Sequence, residues 1–300
     1  MVEKYSIRTI ITSICLAFSV GLSAQMPFQT RETAKTLPHK HFEISVIQPT
    51  RYGVGKKTEL MANPFIIWKH PNLGVKHLWY HKKPAKSDKF LSSRGIYFST
   101  LHTANYPTMS LKFIQNRNIR NYIPAYSEIP QIIALKNELR ISTLLKRSTS
   151  CEPSNFVITY RLGIQNAFEF GNNTFVPINQ YILYRETEIY KDTFIWYTGF
   201  DIDGRITNKI NFIADLDFYA ANFKVNDWSV EHKAFIYWNA GRKKRLLFDL
   251  GYKVAIGSLN NKLRFFIFPV FDVLFLFKPG GRQKGLFENG VYDPYEDRPD

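Results

Sequence analysis

The chain has 300 residues and 45% apolar content, enough for one large domain or two ordinary ones. Forty Lys and Arg against 25 Asp and Glu give a formal charge of +15. The charge is dispersed: Lys56-Lys57, Lys82-Lys83 and Arg242 to Arg245 are the main clusters, so the pattern excludes a nucleic-acid patch and favours contact with lipid headgroups or lipopolysaccharide phosphates.

The N-terminus reads as a secretory signal. Lys4 and Arg8 supply its positive region, Ile10 to Val20 is mostly apolar, and Gly21-Leu22-Ser23-Ala24 ends in small residues, which places cleavage after Ala24 and assigns 1–24 to a signal peptide. Removing it leaves Cys151 as the one cysteine, so no internal disulfide can form. Residues 25–40 read as a flexible polar leader.

Short strands follow. Phe42 to Gln48 alternates, Arg51-Tyr-Gly-Val-Gly55 reads as a turn, Thr58 to Trp68 is a strand interrupted by Pro64, and Pro71-Asn72 leads into Leu73 to Tyr80. Lys82 to Lys89 is a basic loop and Gly95 to His102 a strand. Residues 103–130 read as a long loop that hides a short strand at Ser110 to Ile114. Ile132 to Leu145 alternates strictly enough to favour a strand over a helix.

Phe156 to Phe170, FVITYRLGIQNAFEF, carries the clearest pattern. Its even positions are almost wholly apolar and aromatic, and its odd positions are small, polar or charged; that is period two, hence a strand. It is far longer than the five or six residues usual in globular sheets. After a Gly/Asn/Thr-rich loop at 171–192 come Phe194 to Arg205, Ile210 to Ala221, Trp228 to Ala240, Arg245 to Ser258 and Leu263 to Phe277, joined by hairpin signals such as Thr207-Asn208-Lys209 and Asn260-Asn261. Residues 278–300 form a polar tail.

Six long strands in tight succession make an antiparallel meander, and both long loops fall on the same end of it. Leaving aside the short stretch at Ser110 to Ile114 inside its loop, the strands named above number eleven, whereas single-chain bacterial barrels use even numbers. One strand is therefore missing from the first half. The expected fold is all-β: an antiparallel up-and-down transmembrane β-barrel over 41–277, of about 12 strands with 10 as the alternative.

The exported N-terminus, the amphipathic strands and the aromatic last strand FFIFPVFDVLFLF resemble the outer-membrane β-barrel proteins of Gram-negative bacteria. Arg51-Tyr-Gly-Val-Gly and Pro71-Asn-Leu-Gly-Val-Lys76 resemble early hairpins of poorly characterised members. The resemblance implies a location in the cell outer membrane, with outer-membrane lipid, lipopolysaccharide and the barrel insertion machinery as partners, and no cofactor. Such barrels commonly end on the aromatic residue of the last strand; here 278–300 follow Phe277. Members range from pores to enzymes to structural anchors.

The sharpest chemical constellation is Asp201, Asp203, Asp215 and Asp217, all at odd positions of strands whose even positions are apolar. A three-residue turn at 207–209 sets Asp201 opposite Asp215 and Asp203 opposite Ile213. Opposed carboxylates repel and need partners or protons. Arg161, Glu169, Lys136, Arg140, Arg205, Arg245 and Asp249 share the inward phase, as does Arg264 with Asp272. The set reads as a lumenal charge network, with an oxygen-ligated cation site and a catalytic carboxylate pair as alternatives; no metal is assigned. For an enzyme acting on lipid or lipopolysaccharide, His102 with Ser99 is the only adjacent Ser/His candidate. His39 and His41 lack a nearby third ligand. Trp196, Tyr197, Trp228, Trp238 and Tyr252 fit interfacial girdles. The functional expectation is a pore, narrow transporter or structural component, with an outer-membrane enzyme and a secreted soluble β-rich binding protein as alternatives.

Overall fold

A computed structural model describes residues 31–82, 94–119, 122–147, 154–174, 178, 187, 189–190, 194–207, 209–221, 228–240, 246–259 and 262–277. The segment 1–24 read as a signal peptide, Cys151, Arg245 and residues 278–300 lie outside the described residues.

Twelve antiparallel strands close into one barrel in sequence order, β1 pairing with β12. They are β1 (Phe42–Ser45), β2 (Thr50–Gly53), β3 (Thr58–Ala62), β4 (Asn72–Lys82), β5 (Arg94–Asn105), β6 (Gln131–Arg147), β7 (Ser154–Phe170), β8 (Phe194–Arg205), β9 (Ile210–Ala221), β10 (Trp228–Ala240), β11 (Leu246–Leu259) and β12 (Lys262–Phe277). The strand missing from the sequence reading is β2, whose four residues TRYG are too short to display a period. Ser110 to Ile114 lies in a helix, α1 (Thr108–Asn116), rather than a strand. Asn63 to His70, the second half of the segment read as Thr58 to Trp68, leaves the sheet as turns, because Pro64 cannot donate to a ladder.

The barrel has two unlike ends. At one end, the described parts of the connections that follow β5 and β7 fold over the rim. Leu111 of α1, Ile123, Ile129, Ile178, Ile189 and Tyr190 form an apolar cluster with Ile132, Tyr197 and Tyr219 of the wall. Thr108 Oγ1 donates to Pro130 O and accepts from Ile132 N, and Glu128 N donates to Thr174 Oγ1 at 2.7 Å, tying the two connections to each other and to the wall. This is the cap end; β1 starts and β12 finishes at the other end, the base.

The outward surface is apolar. On β7, Tyr160, Leu162, Ile164, Phe168 and Phe170 are exposed while Val157, Thr159, Arg161, Gln165 and Ala167 are buried. Leu250, Tyr252, Phe265, Ile267 and Phe271 continue the exposed face across β11 and β12. A soluble sandwich turns its apolar face inward; this barrel turns it outward and buries its charges.

The wall is uneven in height. β12 pairs with β11 along its whole length, yet β1 meets only its last four residues, Leu274 to Phe277. β1, β2 and β3 contain four, four and five residues, so on the cap side the wall drops to a notch between β12 and β4. Asp272 clasps the seam below it. Its Oδ1 accepts from Val46 N and Ile47 N at 3.0 Å each, and its Oδ2 from Gln48 N at 3.1 Å and from Ser45 Oγ.

Candidate functional site

The interior is occupied by the chain itself. Residues 31–37, part of the segment read as a flexible leader, have no regular secondary structure and are nonetheless packed against the inner wall: Arg31, Thr33, Ala34, Lys35, Thr36 and Leu37 are all buried. Ala34 joins Leu78, Tyr97, Leu144 and Val157 in an apolar cluster. The wall satisfies the segment's backbone: Ala34 N donates to Ser142 Oγ at 2.6 Å, Lys76 Nζ donates to Thr33 O, Arg140 Nη1 donates to Arg31 O at 2.8 Å, and Leu37 N donates to Glu59 Oε2. An irregular backbone can be buried because such partners are in place.

Around this plug the inward charges sort into separate groups. In the first, Arg161 of β7 reaches across two strands. Its Nη2 lies 2.8 Å from Asp201, 3.2 Å from Asp215 and 2.7 Å from Asp217. The β8–β9 register sets Asp201 opposite Asp215 and Asp203 opposite Ile213. Lys233 of β10 adds an ion pair to Asp215 at 2.9 Å and to Glu32 of the plug at 3.4 Å, and Glu32 also faces Arg161. Burying four carboxylates is costly unless cations neutralise them, and the guanidinium stands where a metal ion would. Among the described residues, no group of three or more His, Cys, Asp or Glu is arranged to hold a metal. Asp203 is buried with Oδ2 unbonded.

In the second group Glu138 pairs with Arg140 and Lys136 and accepts from the Tyr197 hydroxyl. Tyr197 therefore faces the interior, not a girdle as its sequence position suggested: it is fully buried, and Lys136 Nζ sits 4.8 Å from its ring centroid. Gly163, directly opposite on β7, makes room for that ring; a Cβ there would lie 2.2 Å from it. Gly163→Ala should therefore cost about 1–3 kcal/mol, read as a lowered urea midpoint of the purified barrel; an unchanged midpoint contradicts this packing.

A third group was missed from sequence; its members sit on the plug and on β1 to β4, and the strand that carries Arg51, β2, reads as a turn. Arg51 pairs with Glu43 at 2.8 Å and with Glu59, Glu59 with Lys76 at 3.0 Å, and Arg31 of the plug with Glu43. Every member is buried. Once β2 is recognised, the same alternation that marks β7 points Glu43, Arg51, Glu59 and Lys76 inward. A fourth group lies at the seam, where Asp249 faces Asp272 and accepts from Gln48 Nε2 at 3.0 Å.

The remaining sequence candidates lie apart. Glu169 is half-buried near the cap and accepts from Asn173 Nδ2. Arg205 ends β8, and its side chain is outside the described positions. Arg264, expected inside, is exposed near the cap-side end of β12. Ser99 is buried on the inner face of β5, whereas His102 is exposed and bonded to Asn137, so the two point to opposite sides and form no catalytic pair. Of the aromatic girdle candidates, Trp196 contacts Phe218 near the cap end and Trp238 stacks on Phe248 near the base.

Above the plug lies a cavity of about 310 Å³. Its charged lining counts seven Lys and Arg (Arg31, Arg51, Lys136, Arg140, Arg161, Lys233, Lys253) against four carboxylates (Glu32, Asp215, Asp217, Glu231), so cations prevail. No protein-family model matches the chain, and no curated protein matches it significantly.

Proposed function

We propose that this chain is an integral outer-membrane barrel whose lumen is filled by its own N-terminal segment, serving as a narrow transporter or structural component rather than as an open aqueous pore. The observation that carries the reading is the inverted surface: exposed Leu162, Ile164, Phe168, Leu250 and Ile267 outside, ion pairs inside. A contiguous apolar belt of this extent suits hydrocarbon, not water. Trp196 near the cap and Trp238 near the base match interfacial girdles. The net charge of +15 suits anionic headgroups and lipopolysaccharide phosphates at the rims. The insertion machinery would meet β12, whose Phe277 pairs with Phe42 at the seam. The opposed orientation of Ser99 and His102 counts against a hydrolase, and the exposed apolar face against a secreted soluble protein.

Three measurements test this together. The full chain should stay with membranes through carbonate washing, require detergent for extraction, and migrate faster unheated than heated. In planar bilayers it should give no sustained open-channel conductance, because the plug and the cap both obstruct the bore. Release by carbonate contradicts the membrane reading; a stable ohmic conductance contradicts the filled lumen.

A further inference from the structure

The notch beside β12 has a chemistry of its own. Residues 262–272 take ladder partners only from β11 among the described residues. The last backbone–backbone bond across the seam among the described residues is Val46 N to Val273 O. Alternate residues direct their backbone groups to the same edge, so positions 271, 269, 267 and 265 face the notch. Pro269 stands at one of these, where its missing N–H costs no ladder bond and offers nothing to an incoming strand. That disfavours strand addition by a partner.

The side chains agree. Phe268 has the inward phase of its neighbours, since it faces Lys253 of β11 and lies on the side of Asp272, yet it is 45% exposed. Val46, Ile47, Phe65 and Trp68, on the connections above the short strands, are exposed too. Gln48, Pro49 and Met61, at the tops of those strands, form one wall of the lumenal cavity, and Lys253, beside Phe268, lines it as well. A free sheet edge at membrane depth is tolerated only where it borders water or protein. The notch is thus wet on the cavity side and apolar on the outer side.

We infer that this notch is a lateral entry from the surrounding lipid into the cavity for a single-chain anionic amphiphile. The chain lies along Phe268 and the exposed rim at Val46 and Ile47, and the carboxylate or phosphate head reaches Lys253 and Lys233. Lys253 already pairs with Glu231 at 2.8 Å and is 27% exposed at its side chain, and its ammonium carries three N–H donors, so it can meet a second anion while keeping the buried Glu231. This rests on the membrane reading above and supplies that reading with a substrate class.

The test uses the full chain in non-ionic detergent micelles and cis-parinarate, a fluorescent anionic fatty acid, with empty micelles subtracted. Saturable binding near one per barrel is expected, displaced by palmitate, displaced roughly tenfold less well by hexadecanol, which keeps the chain and lacks the charge, and untouched by inorganic phosphate. Lys253→Gln should weaken parinarate binding by roughly fivefold to tenfold, and Phe268→Asn should weaken palmitate and hexadecanol alike. Heat-modifiable migration is recorded for every variant. An intact barrel with only non-saturable partitioning, or with equal binding in Lys253→Gln, overturns the lateral site; displacement by phosphate alone overturns it in favour of a free-anion site. Loss of heat-modifiable migration in the unaltered chain overturns the membrane reading instead.

Discussion

Arg161→Met should destabilise the barrel more than any other single substitution at the site, by about 3–5 kcal/mol. The methionine fills much of the volume, so the loss is electrostatic. Asp201, Asp215 and Asp217, all buried, lose a group that lies within 3.2 Å of each of them, and among the described residues Lys233 is the cation that remains beside Asp215. Arg161→Lys should cost less, yet not nothing, because an ammonium cannot serve three carboxylates spread over two strands as a planar guanidinium does. The measurement is the urea unfolding free energy in lipid vesicles, with a rescue arm. Combining Arg161→Met with Asp201→Asn and Asp217→Asn should recover most of the loss, since replacing a whole buried ionic group is far milder than breaking it. Failure of the rescue would show that the arginine acts through packing.

The second large effect is expected at the seam. Asp272→Ala strips acceptors from three successive backbone N–H groups, Val46, Ile47 and Gln48, and from the Ser45 hydroxyl. Ile47 N is left without an acceptor, whereas Val46 N keeps Val273 O and Gln48 N keeps Ser45 Oγ; at about 1–3 kcal/mol for the unsatisfied donor and about 0.5–1.5 kcal/mol for the other hydrogen bonds lost, the loss is about 2–4 kcal/mol, concentrated where only four residue pairs hold β1 to β12. The variant should lose its fast-migrating folded form at a lower temperature than the unaltered chain. Asp249→Asn is the informative control. It keeps an acceptor for Gln48 Nε2 and relieves the opposition of two carboxylates across β11 and β12, so its folded form should persist at least as long.

The two halves of the chain were unequally legible in the sequence, for a physical reason. In β6 to β12, strands of 12 to 17 residues repeat the inside–outside alternation often enough to announce themselves. The parity of Asp201, Asp203, Asp215, Asp217 and Arg161 is then plain from their numbers. β1 to β3 are only four or five residues long; β1 and β3 still read as strands, but TRYG reads as a turn, so the Arg51–Glu59–Lys76 group stays hidden. Evenness of strand number nevertheless required a further strand in that region. The plug was illegible for a different reason. RETAKTLP has no period, and its burial depends on acceptors and donors supplied by Ser142, Lys76, Arg140 and Glu59, which are scattered along the chain. Tyr197 misled because aromatic residues near strand ends suit a girdle equally well; only its odd position, shared with Asp201 and Asp203, marks it as inward.

The central claim is that even positions of β7 meet hydrocarbon and odd positions meet a filled, polar interior. Single-cysteine variants at 160, 162, 164 and 168, and at 159 and 165, each labelled with an environment-sensitive dye in lipid vesicles containing a nitroxide-labelled acyl chain, measure this most directly. The account predicts strong quenching at Tyr160, Leu162, Ile164 and Phe168 and little at Thr159 and Gln165. Quenching at the odd positions, or at none, would contradict it.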